Sequence, residues 1–353
     1  MVISRLTLTN FRSYSEFTTD LNPKLTVVVG PNATGKTNLL EAVFVLATTK
    51  SFRAKDTELI RHGESFYRLT ADTTDGEIGL GYQKNDQNTE KRAYHQGNKQ
   101  SLIKHLSRLK VVLFEPNDTQ LILGAPDRRR RYLDFILTQT NPNYLTLTHR
   151  YRRVLQQRNR LLSDWTGDTA ELFAWNVKLA ELAADIDAAR RQVVDHINKL
   201  AESSYAKIAG KAEPVELNYL GAADPLDYPS HFIRLLEANQ ARDLGAGFTT
   251  IGPHRDDMEV NFKDSDITTV ASRGEIRTVV LTLKLAELTY IKQATGISPI
   301  LLLDDVFSEL DDQRRTLLTQ AFDGHQVIIT TTDGDMASQL DAHTIYTNPK
   351  ARV

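Results

Sequence analysis

Gly30-Pro31-Asn32-Ala33-Thr34-Gly35-Lys36-Thr37 fills all four fixed positions of the GxxxxGK[ST] phosphate loop. In a chain of this length such a match arises by chance on the order of once in a hundred, given ordinary Gly, Lys and Ser/Thr usage. The flanks strengthen it. Lys24 to Val29 is a β-branched run before the loop, and Asn38 to Leu46 after it reads as a buried helix. Strand, glycine loop, helix is the context the motif requires. Gly30 and Gly35 let successive backbone N–H groups turn inward around phosphates, and the following helix adds the positive end of its dipole. Pro31, Asn32, Ala33 and Thr34 complete the cradle. Lys36 is placed to neutralise the β and γ phosphates, and the Thr37 hydroxyl to coordinate Mg²⁺.

The acidic partner arrives only at Ile300-Leu301-Leu302-Leu303-Asp304-Asp305. Four aliphatic residues carry Asp304 to the mouth of a sheet, where a carboxylate suits a hard cation. Asp305 then falls where a base or water-positioning group would stand.

Bulk properties bound the remainder. With 353 residues there is room for two cores, or for one large core with an insertion. The 41% hydrophobic and 25% charged composition is that of an ordinary globular chain. The absence of cysteine excludes thiolate metal sites, disulfides and thiol catalysis. No apolar stretch approaches the roughly 20 residues of a membrane helix. Arg5, Asn10 and Arg12 interrupt any signal-peptide pattern, so a cytoplasmic location with no membrane partner is expected. A net charge of −2 gives no global attraction to polyanions, so a nucleic-acid partner would have to meet a local basic patch.

Strands are expected at Val2–Leu8, with Leu6 and Leu8 on one face, and at Leu25–Val29, 66–71, 78–82, 92–95 and 109–114. From about Pro126 the pattern becomes helical. Leu179, Leu182, Ile186, Ala189, Val193, Ile197 and Leu200 follow three-four spacing, and Tyr144–Leu162 is the expected antiparallel partner. Residues 221–230 read as an irregular connection, and an alternating β pattern is expected to resume around Phe248. The expected organisation is an N-terminal part of an α/β unit (1–125), a helical lobe (126–245) and a C-terminal part of the same α/β unit (246–353).

A third element is Ala271-Ser272-Arg273-Gly274-Glu275, leading into a helix over 276–289. Its Ser-x-Gly core matches the signature of ABC-type ATPases. Alone it is a common helix N-cap pattern; placed about 30 residues before the acidic strand it becomes moderately specific. Ser308-Glu309-Leu310-Asp311 has the form of a D-loop.

Taken together the chain resembles the RecF family of ABC/SMC-like ATPases. The matching residues are Asn10-Phe11-Arg12, Gly35 to Ala42, Ser51-Phe52-Arg53, Arg128 to Asp134, Gly252 to Asp257 and Leu302 to Asp311. The resemblance implies an ABC-type ATPase head split by a helical lobe with a short antiparallel hairpin. It also implies an ATP- and Mg²⁺-dependent homodimer that binds DNA where duplex adjoins single-strand gaps, and that works with RecR and RecO to place RecA. Weak DNA-stimulated hydrolysis with Lys36 and Asp305 catalytic is implied as well. Ser272 and Gly274 would touch the nucleotide of the opposite subunit. Arg12 is then a nucleotide-side residue and Arg53 a DNA-coupling one, with ordinary surface arginine as the alternative reading. An insertion of about 120 residues is too short for a long SMC arm.

Two departures stand out. The usual signature Gln is Glu275, which would repel a γ-phosphate unless Arg273 or Arg277 pairs with it. No switch histidine follows the strand 326–330, leaving Thr331-Thr332-Asp333 as the candidate γ-phosphate sensor. Asp305 is also one methylene shorter than the Glu common at that position, which predicts slow hydrolysis. For DNA, the candidates are Arg128–Arg131 and the cluster Arg150, Arg152, Arg153, Arg158 and Arg160, against the alternative of a solvated helix face. His254-Arg255-Asp256-Asp257 reads as a turn back into the ATPase sheet rather than a metal cluster. The competing functions are an ABC transporter ATP-binding subunit and a structural SMC-like clamp with negligible hydrolysis.

Overall fold

The chain begins with an antiparallel hairpin, β1 (Ile3–Phe11) and β2 (Tyr14–Asp20), whose turn carries Arg12 at φ 54. Leu6 and Leu8 are buried on one face of β1, as their spacing predicts. In this computed structural model the described residues are 1–85, 88–165, 167–306, 312–334 and 342–347. The strand β3 (Leu25–Val29) runs into the phosphate loop, and α1 (Lys36–Thr48) follows. Next come β4 (Phe66–Thr73), β5 (Gly76–Lys84), β6 (Thr89–His95), β7 (Asn98–Gln100), α2 (Leu102–Leu106) and β8 (Val111–Phe114).

A helical stretch follows: α3 (Gln120–Leu123), α4 (Pro126–Thr140), α5 (Tyr144–Ser163) and the 41-residue α6 (Thr169–Ala209). After β9 (Val215–Leu220) come α7 (Tyr228–Ala238), α8 (Gln240–Ala246), β10 (Asp257–Phe262), β11 (Ser265–Asp266) and α9 (Ile267–Val270). The chain then runs through α10 (Arg273–Thr295), β12 (Ile300–Asp304), α11 (Asp312–Ala321), β13 (Val327–Thr331) and β14 (His343–Tyr346).

Two compact units result. The first comprises Met1–Asp118, Lys207–Lys211 and Lys284–Val353; the second comprises Thr119–Ala206 and Ala212–Leu283. The first unit holds two sheets. One is antiparallel, in the order β2-β1-β4-β5-β6-β7. The other is parallel throughout, in the order β14-β3-β13-β12-β8. All-parallel sheets occur with both faces covered, which explains the buried, largely apolar runs of β3, β8, β12 and β13.

The helix α1 contacts strands of both sheets. Its residues from Leu39 to Ala47 are therefore all buried, around the whole circumference rather than along one stripe, Glu41 among them. The buried Gln326 amide ties the sheets at one end: it accepts from Ile3 N at 2.8 Å and donates to Ile3 O at 2.7 Å and Asn22 O at 3.0 Å.

In the second unit β9 and β10 pair antiparallel from Val215 opposite Phe262 to Leu220 opposite Asp257. This pairing crosses position 245/246, where the sequence reading divides lobe from head. The expected strand near Phe248 is absent: α8 ends at Gly247 in the left-handed conformation, and the Thr250 N–H and hydroxyl both donate to Asp243. The strand starts only after the turn at Gly252–Asp256, and it enters the three-stranded sheet β11-β10-β9 rather than the parallel sheet.

Candidate nucleotide site

β3 and β12 are not neighbours; β13 lies between them. The two halves of the site are thus one strand apart, and β13 contributes a side chain to the gap. Thr37 Oγ1 donates to Asp304 Oδ1 at 2.9 Å, bringing together residues 267 positions apart. Thr330 Oγ1, on β13, donates to the same oxygen at 2.7 Å. The carboxylate is aimed by two hydroxyls, so its orientation is set before any ligand arrives.

Thr330 was missed by the sequence reading. Its only signal is its place at the end of a buried strand, where a hydroxyl has no apolar role. A hydroxyl and a carboxylate at this spacing are a hard-oxygen donor set that fits Mg²⁺.

Lys36 is 7% exposed, and its ammonium bridges the loop, donating to Gly30 O at 2.7 Å and Pro31 O at 2.9 Å. Burial lowers its pKa, while Asp305 and Asp304 oppose that shift. The loop backbone is left-handed at Gly35 (φ 103), which glycine tolerates, and at Ala33 (φ 63), which is strained. Asp305 is left-handed as well (φ 53), its N–H directed to Thr330 O at 3.2 Å and Thr330 Oγ1 at 3.1 Å.

Arg12 and Arg53 converge on one acid. Glu41, fully buried on α1, accepts from Arg12 Nε at 2.9 Å and Nη2 at 2.8 Å, from Arg53 Nη2 at 2.8 Å and from Ser51 Oγ at 2.5 Å. Burial pushes the Glu41 carboxyl up, but the hydrogen bonds from Arg12, Arg53 and Ser51 outweigh it and hold the group below its usual range. Both arginines have a structural partner beside the loop, and Glu41 is the residue the sequence reading overlooked.

The signature segment lies in the second unit. Ser272 N and Oγ each donate to Glu275 Oε2 at 2.9 Å, and Glu275 N returns a bond to Ser272 Oγ at 3.3 Å: a capping box. The cation that answers Glu275 is Lys263 at 2.9 Å, in place of the expected Arg273 or Arg277. Bonds from Ser272 N–H, Lys263 and the Ser272 hydroxyl hold the Glu275 carboxyl down at about 2. Gly274 has open space around it.

Among the DNA candidates, Arg150, Arg152, Arg153 and Arg160 are exposed on α5. Arg158 is corrected: it is completely buried, bonded to Asn176, Asp243 and Thr249, and unavailable to a phosphate backbone. The reason is helical phase, since position 158 falls on the same face of α5 as buried Tyr151 and Leu162. In α4, Arg129 pairs with Asp257 and Arg130 donates to Asp256 O, so two of the four consecutive arginines serve the fold. His254 bonds Tyr151 and Thr249 O, and among the described residues no cluster of His, Asp and Glu could hold a metal. Residues 308–311, the D-loop candidate, lie outside the described residues.

A parallel sheet with a phosphate loop after one strand and a Mg²⁺-type carboxylate ending another, in a chain interrupted by long helices, defines an ABC-type ATPase head. The family model of the RecF/RecN/SMC N terminal domain matches residues 2–351. The DNA replication and repair protein RecF of Lactobacillus gasseri is 35% identical over 347 residues, covering 94% of this chain and 93% of that protein. Its counterpart in Limosilactobacillus fermentum is 36% identical over 363 residues, covering 98% and 97%. The chain belongs to the RecF family. A solved structure of the recombination mediator protein RecF with ATPrS, in the RecFOR pathway, superimposes with a TM-score of 0.88 at 28% identity, covering 98% of this chain and 96% of that one. An SMC head bound to the C-winged helix domain of ScpA shares the fold, with a TM-score of 0.52 at 16% identity over 96% of this chain and 92% of that one. Among the described residues no helix is long and apolar enough to cross a membrane.

Proposed function

We propose that this chain is an ATP-dependent DNA-binding protein of recombinational repair and replication restart. Two copies close on ATP and hold DNA where duplex adjoins a single-strand gap. With RecR and RecO the dimer promotes RecA loading, and slow hydrolysis releases it. The carrying observation is the Thr37–Asp304–Thr330 constellation beside Lys36, in a chain similar along its length to RecF proteins.

The residues divide the work. Gly30 to Thr37 bind and orient the triphosphate, and Lys36 exchanges its loop carbonyls for phosphate oxygens. Thr37 and Asp304 would hold Mg²⁺, whose charge offsets that of the phosphates. Asp305 positions the attacking water and takes its proton. Ser272 and Gly274 meet the γ-phosphate of the other copy, and Arg150, Arg152, Arg153 and Arg160 meet the DNA backbone. Arg12 and Arg53 act through Glu41 on α1, the helix that begins at Lys36. The second unit, which takes in most of the expected lobe 126–245 together with residues 246–283, acts as the DNA-binding lobe, and the first unit as the nucleotide-binding head.

The test is fluorescence anisotropy of a gapped duplex with ATP, ADP or no nucleotide. Binding that tightens at least tenfold with ATP is expected. Nucleotide-independent binding, or none, would count against the reading and favour a transporter subunit or a passive clamp.

A further inference from the structure

The phosphate loop is braced by a residue far outside its motif. β14 runs parallel to β3 with Tyr346 opposite Val29, and the ladder continues one residue further: Thr347 N donates to Val29 O at 2.8 Å. This sets Thr347 against the first half of the loop. Its hydroxyl lies 2.7 Å from Thr34 Oγ1, and Thr34 Oγ1 donates to Pro31 O at 2.9 Å. A hydroxyl has one proton. Thr34 has Pro31 O as an acceptor at 2.9 Å and Thr347 has Val29 O at 3.3 Å, so the shorter Thr34–Pro31 bond favours Thr347 as the donor between the two hydroxyls.

Gly30 supplies an independent observation. Its φ is not positive, so backbone conformation does not require glycine there. A Cβ at position 30 would stand 2.2 Å from Thr347 Oγ1 and 2.8 Å from Thr347 O. The missing side chain is what admits Thr347. At the other end of the loop, Tyr14 Oη donates to Gly35 O at 3.1 Å.

We propose that Thr347 is a positioning residue of the phosphate loop: its hydroxyl fixes Thr34 and, through it, the Pro31 carbonyl that also holds Lys36. A loop that binds by aimed N–H groups gains affinity from being ordered beforehand. The contribution is therefore to nucleotide affinity rather than to the hydrolytic step. The inference rests on the nucleotide reading of the site.

The experiment compares full-length wild type, Thr347→Val, Thr347→Ser and Lys36→Ala by ATP and ADP titration calorimetry and steady-state hydrolysis. Valine keeps the shape and removes the donor; serine restores the donor. One lost net hydrogen bond corresponds to roughly a five- to tenfold rise in Kd. Expected for Thr347→Val is that rise in Kd and KM, with kcat within about twofold of wild type, and recovery in Thr347→Ser. Three results overturn the proposal: wild-type affinity in Thr347→Val, a failure of serine to rescue, or a fall in kcat at unchanged KM. Lys36→Ala separates the layers. If wild type binds nucleotide and Lys36→Ala does not, while Thr347→Val matches wild type, this inference alone fails. If wild type binds none, the nucleotide reading fails with it.

Discussion

Asp305 occupies the left-handed region at φ 53, directly beyond the strand that ends in Asp304. Such a conformation in a non-glycine residue costs on the order of 1–3 kcal/mol, and it persists where surrounding structure over-determines it. Here the Thr330 hydroxyl and carbonyl hold the Asp305 N–H. Asp305→Asn is expected to bind ATP within about twofold of wild type while single-turnover hydrolysis falls about 100-fold or more. Loss of binding would instead place Asp305 in the binding machinery. Glu275 makes a second residue-scale case. Its carboxylate already accepts the Ser272 donors, so under the proposed trans role a phosphate at the start of α10 would meet an anion. Gln also completes a capping box. Glu275→Gln is therefore expected to lower the ATP-state dimer dissociation constant by roughly two- to fivefold, about the worth of one charge at a helix start. Sedimentation reads this directly, and weaker dimerisation would contradict the trans role of Ser272.

Elements sort residues that the sequence shows only as a run. Five arginines of α5 look alike in the sequence, yet the turn of the helix buries Arg158 against Asp243 and leaves Arg150, Arg152, Arg153 and Arg160 exposed. Four phosphate contacts predict that log affinity for DNA falls against log salt with a slope of roughly −3.6. Anisotropy across a salt series measures it, and a flat response excludes α5 as the footprint. The turn before β10 carries a pH prediction. Burial lowers the His254 pKa from 6.5 to about 4, so the stability conferred by the neutral imidazole is present above pH 6.5 and lost as pH falls toward 4. Asp256 works in the opposite sense: burial raises it from 3.8 to about 6, so the fold gains from its protonation as pH falls through 6. Over pH 7 to 4, His254→Asn should lose less stability than wild type by about 3 kcal/mol. Denaturant midpoints at the two pH values give the difference, and parallel loss would mean that His254 does not titrate as its burial demands.

At the scale of the whole molecule, the proposed closure of two copies on ATP is the step to test. Light scattering should show a doubling of mass with ATP and not with ADP, and Lys36→Ala should stay a monomer under both. A wild-type dimer present without nucleotide would remove ATP as the trigger. The local parts of this molecule were legible in the sequence because short-range chemistry sets them: the loop Gly30 to Thr37, the aliphatic strand ending at Asp304, the inward face of β1 and the long α6 each follow from spacing alone. Partners distant along the chain were not, because composition carries no record of which strand lies between two others. β13 lies between β3 and β12, so Thr330 aims Asp304. β14 flanks β3, so Thr347 reaches Gly30. The hairpin β1–β2 presents Arg12 to a buried Glu41, and Lys263 rather than a neighbouring arginine answers Glu275. The sequence by itself determined which residues are candidates to meet phosphate. Tertiary structure decided what holds those residues in place, since strand order and burial are properties of the packed chain.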